Sequence, residues 1–148
     1  MGKHARNARR ATVRRLRECR LASSDRDVLG ERARYEGSPY HKRSPGDFGL
    51  TPPAAPRADA TLCDEAGIRK QADAVALFAR AIEGGLVSTA VASTGFPKHI
   101  WVVDEDGRVF EATYGGSRVG VYHGYPIRNS DPLSREIVAA WRKHRCAN

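Results

Sequence analysis

The fold turns on residues 98–126, KHIWVVDEDGRVFEATYGGSRVGVYHGYP. His99–Val103 is aromatic and β-branched, which reads as a strand. Asp104-Glu105-Asp106-Gly107 is a turn, and Asp106-Gly107 is a strong hairpin dipeptide. Arg108–Tyr114 returns as a second strand. Val109 and Glu111 lie on one face of it, and Phe110, Ala112 and Tyr114 on the other. Gly115-Gly116-Ser117 turns the chain again. Arg118–Tyr125 is the third strand, with Gly124 a place to bend and Pro126 a stop or an edge. Alternation puts Tyr122 and Gly124 on one face and His123 and Tyr125 on the other.

Helices flank this meander. Upstream, Ile68, Ala72, Val75, Ala79 and Ile82, with Phe78 beside them, make an apolar stripe at helical spacing. Thr61 or Asp64 can cap its start, and Gly84-Gly85 ends it. Leu86-Val87-Ser88 is a short extended piece. Downstream, Ser130 or Asp131 caps, Pro132 takes the first helical position, and Leu133, Ile137, Ala140 and Trp141 form the stripe. The expected class is α+β: helices, a three- to four-stranded antiparallel sheet and a C-terminal helix.

The 148 residues divide by composition into a basic helical arm (1–35), a proline-rich loop (36–60) and the α+β domain (61–148). The arm predicts a helix over 4–22 and a second over 25–34, with Ser23-Ser24-Asp25 as its cap region. Five of the eight prolines fall in the loop. Proline fixes φ and displaces the preceding residue from helical geometry, so the loop is extended. A loop this long serves a function or stays disordered alone.

The formal net charge is +8, and all of it comes from residues 1–57. The first twenty residues hold eight Lys or Arg and a single acid, Glu18. Guanidinium forks match phosphate oxygens. Arg9, Arg10, Arg14, Arg15 and Arg17, together with His41, Lys42 and Arg43 of the loop, are therefore candidate RNA contacts, against the plainer reading of a solvated tail. No apolar run approaches the length of a membrane span, and the N-terminus lacks the apolar core of a secretory signal. Cys19, Cys63 and Cys146 form no CxxC unit. Neither a disulfide framework nor a zinc ribbon is expected, and the setting expected is cytoplasmic. No cofactor, metal or membrane partner is expected.

The densest polar and aromatic cluster is Tyr122-His123-Gly124-Tyr125-Pro126. Histidine titrates near neutrality and moves protons in either direction. A short turn at 115–117 sets Glu111 opposite Val121 and diagonal to His123. Metal-free RNA cleavage needs a base for the 2′-OH, an acid for the departing 5′-oxygen and cations for the phosphorane. Glu111 and His123 suit the first two tasks and Arg118 the third. Lys98, Tyr122 and Tyr125 are candidate phosphate and base contacts. The plainer readings are a structural strand-end histidine, a solvated strand carboxylate and rim cations.

The 98–126 segment resembles the sheet of small metal-independent ribonuclease toxins of the barnase, EndoU, colicin and RelE group, with a strand glutamate and a strand-end histidine. The resemblance covers about 30 residues. It implies metal-independent endoribonuclease activity of toxin or defence type, often restrained by a cognate inhibitor, with Glu111 and His123 as the acid-base pair and Arg118 as phosphate ligand. The rival readings are a non-catalytic module binding nucleic acid or a ribonucleoprotein, and an inhibitor or structural subunit whose basic face meets an acidic protein partner.

Overall fold

A computed structural model describes residues 14–37 and 71–143. In chain order the elements are α1 (Ser23–Arg32), β1 (Arg34–Tyr35), α2 (Gln71–Gly84), β2 (Leu86–Val87), β3 (His99–Val103), β4 (Val109–Tyr114), β5 (Val121–Pro126) and α3 (Pro132–Arg142). The class is α+β. The sheet has five strands in the order β1-β5-β4-β3-β2 and is mixed. β2 to β5 pair antiparallel, and β1 adds to the β5 edge in parallel. The sequence reading missed β1, because two residues, Arg34 and Tyr35, carry no periodicity.

The sheet is covered on both faces. Ile100, Val102, Phe110, Ala112 and Tyr122 pack with Leu29 of α1 and Phe78, Ala81 and Ile82 of α2. Trp101, Val103, Val109 and Ile127 pack with Ile137 and Ala140 of α3. Burial on both sides explains why every residue of β3 is buried, with no alternation along the strand.

Three expectations need correction. The described part of the expected 4–22 helix is extended. Leu16 bridges Ser88, Arg17 N–H donates to Val87 O and Thr89 N–H to Arg15 O, so the segment runs along β2 as an added edge. Leu16 and Leu21, both buried, are its anchors, and two leucines five apart make no helical stripe. Secondly, α1 begins at Ser23 with Ala22 at the N-cap, and no side chain caps it. Thirdly, α2 buries Ala74, Phe78, Ala81 and Ile82, while Val75 is 46% exposed. The stripe is rotated from the expected one, because the α2 contact with α1 and the sheet selects Phe78 and its neighbours. Residues 61–70 and the 38–60 loop lie outside the described residues.

The α3 start is as expected. Pro132 opens the helix, and Asp131 at the N-cap accepts from Leu133 N–H at 3.0 Å. Arg20 ties the far end. Its guanidinium donates to the carbonyls of Gly84, Ala140, Trp141 and Lys143 and lies over the Trp141 ring. A cation there meets the negative ends of α2 and α3 together. Cys19 next to it is disulfide-bonded, with its partner outside the described residues. That departs from the expectation drawn from the cysteine spacing, because pairing is invisible in three cysteines spaced this far apart. Among the described residues no helix is long and apolar enough to cross a membrane.

Candidate functional site

Register builds the site. The turn between β4 and β5 is a six-residue loop, 115–120, instead of three residues, and β5 starts at Val121. Glu111 consequently pairs with Tyr125, not Val121, and Thr113 pairs with His123. Parity is unchanged, so Glu111 and His123 still share a face and remain diagonal neighbours. With β3 included, two polar rows cross three strands on that face: His99, Thr113, His123 and then Trp101, Glu111, Tyr125. The next row, Val103 and Val109 with Ile127, is the apolar floor beneath α3.

Glu111 is fully buried. Its Oε1 accepts from Arg14 Nε and Trp101 Nε1, each at 2.9 Å, and its Oε2 accepts from the Tyr125 hydroxyl. Arg14 also donates to Asp131 Oδ2 at 2.9 Å. Asp131 thus caps α3 with one oxygen and holds Arg14 with the other. Burial alone lowers the Arg14 pKa, but the two carboxylates outweigh it and the net shift is upward. Burial, then the Glu111 charge and hydrogen bond, push the Tyr125 hydroxyl well above its ordinary range. Its proton is committed to the carboxylate. The arrangement makes Glu111 the holder of Arg14, Trp101 and Tyr125.

The outer row is more open. His99 Nδ1 lies 3.2 Å from Thr113 Oγ1 and 3.8 Å from Glu111 Oε1, and its ring stacks on Trp101. His99 is only 6% exposed and has a further interaction beyond these. His123 is half-buried, and its Nδ1 meets the Glu36 carbonyl at 2.9 Å. A carbonyl only accepts, so Nδ1 carries the proton and Nε2 of the neutral ring is left as the acceptor. No hydrogen bond or ion pair joins His123 to Glu111 among the described residues.

The chain matches no protein-family model, no curated protein and no solved structure.

The remaining candidates are dispersed. Arg118 is exposed and pairs with Glu36 at 2.8 Å, and no hydrogen bond or ion pair joins it to Glu111 among the described residues. Tyr122 is wholly buried on the opposite face, its hydroxyl donating to Pro97 O at 2.6 Å, and burial raises its pKa. A ring so enclosed cannot stack a base. Lys98 and Arg15 are exposed. Arg17 lines a groove of about 560 Å³ between α1 and residues 87–97, on the α1 side of the sheet. Arg9, Arg10, His41, Lys42 and Arg43 lie outside the described residues. Among the described residues no three His, Cys, Asp or Glu gather as a metal-binding group.

Sequence reasoning missed Trp101, Thr113 and the double role of Asp131. One signal was available. Glu111 interrupts a buried-looking strand, and a carboxylate there requires donors. In the sequence Arg14 reads as an RNA contact, and nothing in the arm distinguishes it from Arg15.

Proposed function

We propose that the chain is an RNA-directed protein that cleaves RNA without a metal, with His123 as the base. The observation that supports this most is the fixed tautomer: Nδ1 is held by Glu36 O, and Nε2 has no partner among the described residues. In this reading Nε2 takes the 2′-OH proton, the 2′-oxygen bonds to phosphorus, and the bond from phosphorus to the 5′-oxygen breaks. The products are a 2′,3′-cyclic phosphate and a 5′-hydroxyl. The 5′-oxygen needs a proton in return. Tyr125 has committed its own to Glu111. The Thr113 hydroxyl, in hydrogen-bond contact with His99, lies one strand from His123 in the same row. His99 is two strands from His123, about 10 Å, a separation that suits groups acting on opposite sides of one phosphorus. His99 through Thr113 is the acid in this reading, and Glu111 with Arg14 holds the floor on which the row stands.

The test is incubation of labelled single-stranded RNA with the full chain in EDTA. Cleavage leaving cyclic phosphate ends is expected, with His123→Gln slower by about 10²–10⁴-fold and DNA of the same sequence intact. A second reading, a non-catalytic nucleic-acid module, is favoured by one observation: both Glu111 oxygens are engaged and His99 is nearly enclosed. Retention on RNA at low salt without cleavage would establish that reading. A stable complex with an acidic protein, and no retention, would favour an inhibitor-held or structural subunit.

A further inference from the structure

Cys19 is disulfide-bonded, and the chain holds two other cysteines, Cys63 and Cys146. Both lie outside the described residues, so the described chain on either side of them decides which is nearer. The arm and the end of α3 meet at Gly84-Gly85. Leu21 N–H donates to Gly85 O at 3.0 Å, and a Cβ on Gly84 would run into the Trp141 ring. Arg20 spans the same junction, its Nη2 donating to Trp141 O at 2.7 Å and to Lys143 O at 3.1 Å. Lys143 leaves the helix in an extended conformation, with φ −98° and ψ 136°. Cys146 follows it by three residues, a reach of about 10 Å. Cys63 is tethered to the far end of α2. Gln71 starts that helix and Gly84 ends it, about 20 Å apart. The eight residues from Gln71 to Cys63 reach about 26 Å when fully extended. Nearly all of them would have to run straight back along α2 to bring Cys63 to the arm. A disulfide needs its Cα atoms within about 7 Å of each other, and the tether from Lys143 meets that without a detour.

We infer that Cys19 is joined to Cys146 and that this bond is a thiol-sensitive latch, holding the arm along β2 and Arg14 against Glu111. The arm meets the 85–89 segment through three backbone hydrogen bonds: Arg17 N–H to Val87 O, Thr89 N–H to Arg15 O and Leu21 N–H to Gly85 O. Leu16 and Leu21 are its buried apolar anchors. On this path Arg14 delivers its guanidinium to Glu111 and Asp131. The cross-link closes nearly the whole chain into one loop, the case in which a disulfide restricts the unfolded ensemble most. Cys19 is half-buried, which leaves it open to a small dithiol. One thiolate of the dithiol attacks a sulfur of the pair, and the other cysteine leaves as a thiolate and takes a proton. The second thiol of the dithiol then attacks the mixed disulfide, closes its own cyclic disulfide and releases the second cysteine as a thiol. Two electrons and two protons pass to the chain, and the arm keeps only its non-covalent contacts. The latch does not rest on the ribonuclease reading.

The test begins with the full chain, alkylated under denaturing, non-reducing conditions, digested with trypsin and weighed by mass spectrometry. The peptide Glu18–Arg20 is expected joined to Cys146–Asn148, with Cys63 alkylated in the peptide Ala58–Arg69. Dithiothreitol, a dithiol, is then added to the folded chain. Tm should fall by about 6–15 °C. Amide exchange at Arg17 and Leu21, whose N–H groups bond β2 and Gly85, should quicken by about tenfold or more, ahead of Tyr114, whose N–H bonds Lys98 O within the sheet. Cys63→Ser should keep the cross-link. Cys146→Ser should show the lower Tm without reductant and ignore dithiothreitol. A Cys19–Cys63 peptide, or Cys19 alkylated in the unreduced chain, overturns the pairing. A correctly paired chain whose Tm and arm amides do not respond to dithiothreitol overturns the latch.

Discussion

Glu111 shows how one residue can be legible in the sequence while its role is not. A carboxylate with no exposure must find donors, and it finds Arg14, Trp101 and Tyr125. Removing it deprives the Trp101 and Tyr125 donors of their acceptor and takes one of two carboxylates from a guanidinium that is only 15% exposed. Glu111→Ala should cost about 3–5 kcal/mol, read from urea unfolding. The paired change Arg14→Met with Glu111→Leu should recover only the ion-pair share of that loss, since Trp101 Nε1 and the Tyr125 hydroxyl still lose their acceptor. Tyr125 and Tyr122 supply a second prediction. Burial raises both above the ordinary value, so the folded chain binds protons that the unfolded chain releases near pH 10. Stability from both is fully present below that pH and is lost as pH rises beyond it. Their contribution to Tm should be constant below about pH 10 and be lost above it. Absorbance at 295 nm should show these two of the five tyrosines ionising only with alkaline unfolding. Which side chains meet across strands depends on register, and register here depends on how many residues the 115–120 loop consumes. A Gly-Gly-Ser sequence does not reveal that number.

Elements were read best where local chemistry and packing agree. His99–Val103, the Asp104–Gly107 turn and the Asp131-Pro132 helix start emerge at their expected places. The arm fails the same test. Arg14–Ala22 lacks helix breakers, yet tertiary contacts draw it out along β2. Arg20 is among those contacts, since the extended path carries its guanidinium to the ends of α2 and α3. Arg20→Ala should lower Tm by about 5–10 °C and change Trp141 fluorescence. Arg20→Lys should restore little, since an ammonium cannot serve four carbonyls from one planar fork. Gly120 is a similar fixed point. Its φ is +81°, and a Cβ would lie 2.5 Å from Arg32 O at the junction of α1 with β1. Gly120→Ala should therefore loosen the β1 edge, and with it the Glu36 contact to His123. Amide exchange at Glu36, whose N–H bonds Tyr122 O, reports this directly.

At the scale of the molecule, the excess positive charge of residues 1–57 looked uniform in the sequence, and the structure divides it by role. Arg14 is bound to two carboxylates, Arg20 to four carbonyls, and Arg26 to Glu83 O. Of the eight basic residues in the first twenty, at most six are then available to a polyanion. Counterion release makes the distinction measurable, because each neutralised phosphate contributes about −0.7 to the slope of log K against log salt for single strands. Eight contacts from the first twenty residues would give about −5.6, and six or fewer give a slope no steeper than about −4.2. Comparing the full chain with variants isolates that share. Substituting Arg15 and Arg17, both exposed, should flatten the slope by up to about 1.4 and leave unfolding free energy within about 0.5 kcal/mol. Substituting Arg20 should instead destabilise the fold while the slope of the folded fraction stays put. If the Arg20 variant flattened the slope as much as the Arg15 and Arg17 pair, its guanidinium would be meeting phosphate in solution, and the clasp on α2 and α3 would have to open for nucleic acid to bind.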